Sequence, residues 1–313
     1  MKDKDLPQDT GRICAVVVTY NRKELLEECL TALLNQTRPL EEIIVMDNAS
    51  TDGTEELVKA VFSGVTYVKL AQNIGGSGGF HEGMKLAFEK GHDWIWVMDD
   101  DAIPMADALE KLTRCPMIFH DKVYALASAV LNRDGSINLL TRRLFDSKRL
   151  LDIPIPADQY KSDYFQMDTA SFVGFLISRK AIEELGLPLK DFFIYWDDTE
   201  YSLRMRKKGV MFTVPGSKVI HGEVGGESDK LDPLRPTLDW KRYYAIRNRI
   251  YMCKKHGEPG LTFYYNLLIL INRLRRETLS FRPSKFWSIK VLLCGVLDGL
   301  RGKLGKNGNF TPE

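Results

Sequence analysis

Two hydrophobic periods alternate along the first hundred residues. Residues 12–18, Arg-Ile-Cys-Ala-Val-Val-Val, form a nearly continuous apolar run that ends in three valines, which predicts a strand buried on both faces. Residues 25–35 then carry apolar side chains at helical spacing. Residues 43–46 predict a second strand ending at Asp47, and residues 53–62 a second helix with Ser50 and Asp52 as N-cap candidates. A strand over 65–70, a helix over 80–90 and the aromatic strand Trp94-Ile95-Trp96-Val97-Met98 continue the series. Alternation of this kind predicts right-handed βαβ units around a mostly parallel central sheet flanked by helices, an α/β fold. Further along, 124–131 predicts a strand and 132–135 a turn. Residues 141–168, with Pro154 and Pro156, read as a surface excursion. A strand over 172–178 and a short helix over 180–185, closed by Gly186 and Pro188, follow.

With 313 residues, 44% hydrophobic and 27% charged, the chain can bury a sizeable core and is not a disordered sequence. Its five cysteines, Cys14, Cys29, Cys115, Cys253 and Cys294, are odd in number and lack CxxC spacing, so they read as reduced thiols. Residues 1–12 are polar, with no signal or anchor pattern, and a cytoplasmic location is expected. The net charge of +2 hides an asymmetry, because residues 241–306 carry fifteen Lys and Arg against three acids. Within them, 261–271 is an apolar run too short to span a bilayer, closed by the basic stretch 272–276. Residues 286–304 interleave Trp287, Leu293 and Leu297 with Lys290, Arg301 and Lys303. Two readings stay open for this tail: basic amphipathic helices on the cytoplasmic face of an anionic membrane, or a helical element packed on the core or on another subunit of a homo-oligomer. Residues 1–240 are therefore expected to form the catalytic unit and 241–313 a basic helical extension. No nucleic-acid partner is expected.

Chemistry concentrates in four places. Asp99-Asp100-Asp101 stands at the end of a buried strand, where ligand crevices of open α/β sheets lie. Adjacent carboxylates there suit Mg²⁺ or Mn²⁺ shared with a phosphate, the alternative being a solvated acidic turn. Trp196-Asp197-Asp198-Thr199-Glu200 runs into a helix, and either Asp can serve as an N-cap or as a general base beside an aromatic surface on which a sugar stacks. His221 follows a strand-like segment and precedes Gly222, Gly225 and Gly226; it is a third metal ligand or a structural histidine. Asn73-Ile74-Gly75-Gly76-Ser77-Gly78-Gly79 presents backbone N–H groups to phosphate or sugar, or else packs tightly. It is no Walker loop, since the Lys-Ser/Thr step is missing.

These motifs, in order, with Val17-Val18-Thr19-Tyr20-Asn21-Arg22 and Val45-Met46-Asp47-Asn48-Ala49-Ser50, resemble the GT-A fold family 2 glycosyltransferases over about residues 12–225. The combination of Gly-Gly-Ser-Gly-Gly-Phe, Asp-Asp-Asp, Trp-Asp-Asp-x-Glu-Tyr and a later His resembles bacterial galactofuranosyltransferases within that family. Rhamnosyltransferases share the N-terminal motifs. The resemblance implies an inverting, metal-dependent enzyme taking UDP-galactofuranose to a glycan or glycolipid acceptor. It implies that Thr19, Tyr20, Asn21, Arg22, Asp47, Asn48, Asn73, Gly75 and Gly76 line the nucleotide-sugar pocket, with Asp100 toward the ribose or sugar. Asp99, Asp101 and His221 would bind the metal, Asp198 would be the base, and Trp196, Asp197 and Glu200 would contact acceptor or donor sugar. The long flanking regions of the large polymerising members are not seen in this sequence, which favours a single or limited addition over a processive one. A dTDP-rhamnose user and an inactive glycan-binding or scaffold module are the alternatives.

Overall fold

The computed structural model describes residues 10–149, 151–222, 239–257, 271, 275 and 285–311. Gly225, Gly226, the apolar run up to residue 270 and most of the basic stretch 272–276 lie outside the described residues.

The predicted alternation is realised as β1 (Ile13–Thr19), α1 (Lys23–Leu34), β2 (Glu42–Asp47), α2 (Thr54–Val61), β3 (Thr66–Lys69), α3 (Gly75–Glu89) and β4 (Trp94–Asp99). Beyond them lie β5 (Ala102–Pro104), α4 (Ala108–Thr113), β6 (Val123–Leu131), β7 (Arg142–Asp146), β8 (Leu151–Pro154), β9 (Phe165–Met167), β10 (Thr169–Ala170), β11 (Phe175–Ser178), α5 (Arg179–Leu185), α6 (Asp197–Arg206) and β12 (Val210–His221). Two C-terminal helices, α7 (Asp239–His256) and α8 (Lys285–Arg301), follow.

The main sheet runs β3-β2-β1-β4-β11-β6-β12-β5, with β9 also paired to β12. Strands β1 to β4 are parallel, β11 is antiparallel to both its neighbours, and β12 is parallel to β6. Every residue of β1 is buried because helices cover both faces of the sheet. Its period of two divides the core: Ile13, Ala15 and Val17 join Leu26 and Leu30 of α1, while Cys14, Val16 and Val18 join Phe80 and Met84 of α3.

Three local expectations are corrected. The third helix begins at Gly75, not near residue 80, so most of the glycine run lies inside it. Gly53, in a left-handed conformation, occupies the N-cap position of α2, with Asp52 Oδ1 accepting from Thr54 N at 3.2 Å; Ser50 turns back to Asp47. Residues 141–168 are not a loose excursion, since β7 and β8 pair antiparallel, β10 extends them, and β9 joins the main sheet. Pro154 closes the register of β8 against Arg143, and short strands hinging at prolines carry too little periodicity to be read in isolation.

Much of the basic charge of α7 is spent internally. Arg247 is fully buried, Lys255 pairs with Glu200, and Lys254 donates to the Leu300 carbonyl of α8. Tyr243 and Tyr244 of α7 form a small core with Phe193, Val291 and Phe310. Among the described residues no helix is long and apolar enough to cross a membrane.

Candidate active site

Parallel register brings the carboxyl ends of β1, β2 and β4 together, pairing Thr19 with Asp47 and Val18 with Asp99. The winding reverses between β1 and β4, the place where doubly wound sheets open a ligand crevice. Thr19 Oγ1 donates to Asp100 Oδ2 at 2.8 Å, and the Arg22 guanidinium lies 3.4 Å from Asp100 and 3.6 Å from Asp101. Asp100 is thus a buried acceptor that ties the end of β1 to the acidic turn. Burial, opposed by the Arg22 charge, pushes its pKa up to about 7.

The acids occupy the step from β4 to β5, and the antiparallel partner of β5 is the end of β12, where His221 pairs with Ala102. This pairing sets His221 Nε2 3.0 Å from Asp101 Oδ1 and 3.8 Å from Asp99 Oδ2. Burial disfavours the imidazolium, yet the two carboxylates outweigh it and raise its pKa to about 10. Asp101 is held below the ordinary carboxylate range because His221 and Arg22 overcome its burial. The ligand atoms of Asp99, Asp101 and His221 lie within 4.8 Å of one another. Asp101 Oδ1 is buried and receives no aligned hydrogen bond, and carboxylate oxygens with an imidazole nitrogen are donors that fit Mn²⁺ or Mg²⁺. A second group with similar spacing, Cys14, Glu42 and His92, is already satisfied as an ion-pair cluster: Glu42 accepts from Lys90, Thr66 and His92.

The second acidic motif enters from the other side. Ahead of α6, Phe193, Tyr195 and Trp196 adopt φ of 67°, 66° and 72°, so the chain turns sharply into the helix at Asp197. Burial and then the charge of Asp198 raise the pKa of Asp197 to about 8, with Asp99 adding to the rise and Ser77 of α3 opposing it. The two acidic clusters therefore share one electrostatic environment, 96 positions apart in the chain though their members Asp101 and Asp197 are. Asp198 Oδ1 accepts from the Thr199 amide at 2.5 Å; burial raises its pKa and Arg143 opposes the rise. A carboxylate in the first turn of α6 with its pKa raised above the ordinary carboxylate range is a stronger base than a solvated one, which suits proton abstraction.

The remaining predicted residues divide. Asn21 and Ser50 bridge the strand ends, with Asn21 N donating to Ser50 Oγ at 2.9 Å and Ser50 Oγ donating to Asp47 at 2.5 Å. Asp47 is fully buried, its other oxygen accepting from Tyr67, while Tyr20 is half-buried. Asn48 spans to the start of α3: it donates to the Gly75 carbonyl at 3.3 Å and accepts from Ile74 N at 3.2 Å, and Asn73 Oδ1 accepts from Gly75 N at 2.8 Å. Gly75 has φ of 80°, and a Cβ there would come 2.0 Å from the Phe193 carbonyl, so only glycine lets α3 start against the loop that carries Trp196. Gly76 has open space at the same position. Trp196 is half-buried and donates to the Ala245 carbonyl at 3.1 Å. Glu200 is not brought to the acidic crevice. Fully buried, it pairs with Arg204 at 2.8 Å, Lys255 at 2.9 Å and His256 at 3.1 Å, which hold its pKa at about 2 despite burial.

Sequence reading missed Ser77, Tyr67 and Arg143. Ser77 carried a signal, as the single side chain inside a glycine run. Arg143 carried none: it reaches Thr199 at 3.2 Å and Asp152 at 3.3 Å only because β7 packs beside α6.

A mostly parallel sheet with acidic groups at its switch point, the Asp99, Asp101 and His221 cluster and the Asp197–Asp198 pair, defines the GT-A class of nucleotide-sugar transferases. Solved structures of the same shape include GalNAc-T7 with UDP, GalNAc and Mn²⁺ (TM-score 0.62, 14% identity, 95% of this chain and 57% of that one). A Pyrobaculum calidifontis mannosyltransferase in complex with GDP-Man and Mn²⁺ also matches (TM-score 0.58, 17% identity, 95% and 89%). The chain belongs to glycosyl transferase family 2, whose family model matches residues 14–186. Galactofuranosyltransferase GlfT1 of Mycolicibacterium smegmatis is 30% identical over 264 residues, covering 80% of this chain and 85% of its own length. The dTDP-rhamnosyl transferase RfbF of Shigella flexneri is 25% identical over 305 residues, covering 94% and 97%. The protein is a glycosyltransferase.

Proposed function

We propose that this glycosyltransferase transfers galactofuranose from UDP-galactofuranose, with inversion, to a hydroxyl of a lipid-linked cell-surface glycan. The observation that carries the reading is the Asp99, Asp101 and His221 group at the end of β4, with Asp99 near enough to the Asp197–Asp198 pair for its charge to help raise the Asp197 pKa. Asp198 takes the proton from the acceptor hydroxyl, whose oxygen attacks the anomeric carbon on the face opposite the leaving UDP. One base is enough for inversion, and no covalent sugar intermediate forms. Asp99, Asp101 and His221 would hold Mn²⁺ or Mg²⁺, which when bound offsets charge on the diphosphate. Thr19 and Arg22 keep Asp100 in place beside it. The similarity to the galactofuranosyltransferases supports the donor. A dTDP-rhamnose donor is the second reading, favoured by the near full-length match to the Shigella flexneri enzyme. Incubation with UDP-galactofuranose, UDP-galactopyranose and dTDP-rhamnose in the presence of Mn²⁺, with release of each nucleotide measured, decides between them. Turnover of UDP-galactofuranose is expected, and turnover of dTDP-rhamnose alone would replace the donor assignment.

Attachment to the cytoplasmic leaflet belongs to the same reading. On α8, Phe286, Leu293, Leu297 and Leu300 recur at helical spacing and remain exposed, with Trp287 beside them under Lys290. Each basic residue held near an anionic surface contributes about 1 kcal/mol, a term that weakens as salt rises. Flotation with anionic liposomes is expected to carry the protein at low salt and less of it at high salt. Equal recovery with neutral and anionic vesicles would instead make this face a packing or dimerisation surface.

A further inference from the structure

We infer that Asn248, together with Arg247, is a positioning residue that aims the Asp197–Asp198 pair, so that the C-terminal helix α7 is part of the catalytic apparatus. The inference rests on the acid pair acting as proposed above. The loop leading to that pair contains three non-glycine residues in the left-handed region, Phe193, Tyr195 and Trp196, a conformation an L-residue holds only when its surroundings impose it. The imposing contacts come from one short stretch of α7. Asn248 Nδ2 lies 2.9 Å from each of the carbonyls of Phe192, Ile194 and Tyr195. Arg247 donates to the carbonyls of Asp191 at 3.1 Å and Phe192 at 2.9 Å, and its Nε donates to Asn248 Oδ1 at 2.9 Å, which fixes the amide's orientation. Ala245, less than one helical turn earlier, accepts from the Trp196 indole.

Both gripping side chains are fully buried, where water cannot replace the lost partners. The grip also extends to the donor side. Phe193, inside the clamped loop, accepts from Ser77 N at 3.2 Å, and Ser77 faces Asp197. Arg247 continues to the Gly305 carbonyl, and the next residue, Lys306, donates to the Asn73 carbonyl at 3.0 Å. Helix α7 thus holds the acid loop and the start of α3 in one frame. Without it the loop relaxes toward ordinary backbone angles and the two carboxylates leave their aim, while the strand ends that hold nucleotide stay in place.

The variant Asn248→Leu keeps the branched heavy-atom skeleton and removes the donors. It is expected to bind UDP with Mn²⁺ within about threefold of wild type and to lose kcat per UDP-binding site by about 10- to 100-fold, the scale of a displaced catalytic group. Amide hydrogen exchange, which needs no donor sugar, is expected to accelerate over residues 191–199 and to stay unchanged in β1 and β4. Asn248→Ser retains one donor and is expected to fall between the two in both measurements; it carries the test if the leucine variant does not fold. Unchanged kcat per binding site with unchanged exchange in the loop overturns the inference, as does a uniform loss of protection across the sheet, which marks a general packing role. Failure of the donor assignment is distinguishable, since it leaves wild type itself without turnover of UDP-galactofuranose while the exchange measurement still decides the clamp.

Discussion

Replacing Asp198 by asparagine is expected to leave UDP binding intact and to lower sugar transfer by about 10²-fold or more, the usual scale for a positioned general base. The substitution is nearly isosteric, and the amide oxygen can still accept from the Thr199 amide, so the first turn of α6 keeps its local hydrogen bond. What disappears is the ability to take a proton. Burial holds the Asp198 pKa above the ordinary carboxylate range, opposed by Arg143. The sign of the pH dependence follows: the wild-type rate falls as pH is lowered through that raised value, because the protonated acid cannot act as a base. This acid limb should be absent from the residual rate of the variant. Calorimetric titration with UDP and a pH profile of transfer test both statements. Near-normal turnover would move the role to Asp197, whose pKa is raised to about 8 by burial and by Asp198 itself.

Asp101→Asn has the second large effect, and it falls on the metal rather than on the proton. Asp101 is buried between His221 at 3.0 Å and Arg22 at 3.6 Å, and its Oδ1 is the buried donor atom of the Asp99, Asp101 and His221 group. A neutral amide removes a full negative charge from the place where a divalent ion needs it. Loss of even an outer partner of a metal ligand costs about 10- to 100-fold in affinity or activity, and loss of a ligand is expected to cost at least that. Both Mn²⁺-dependent UDP binding and turnover should fall together, and higher Mn²⁺ should restore part of the rate. A variant with wild-type activity and an unchanged Mn²⁺ titration would remove Asp101 from the ligand set.

The architecture around these groups was legible to different depths. Strands buried on both faces announce themselves as short continuous apolar runs, and amphipathic helices as apolar residues recurring at the helical period, so both are legible over a few residues. The N-terminal strands and helices were readable for this reason, as was the placement of three aspartates just past β4. Residues 141–168 were not. Strands of two to five residues carry too few alternations to show a period, and β7, β8, β9 and β10 exist because of their partners.

Sequence alone was sufficient for the class of fold, the order of its βαβ units, the family motifs and the positions of both acidic clusters. All of these depend on local pattern or on residue type at short spacing. Tertiary structure decided which of those residues share a site. Antiparallel pairing of β5 with β12 brings His221 to Asp101, across 120 positions, and no local pattern encodes that register. It also took Glu200, which stands two residues from Asp198, away to Lys255 and His256 of α7, because successive residues on a helix lie about 100° apart and neighbours in a motif face different surroundings. Finally it buried Arg247 among the carbonyls of Asp191 and Phe192 and led the exposed Lys255 to the buried Glu200 carboxylate, since a buried carbonyl or carboxylate binds a cation more strongly than water-facing neighbours do.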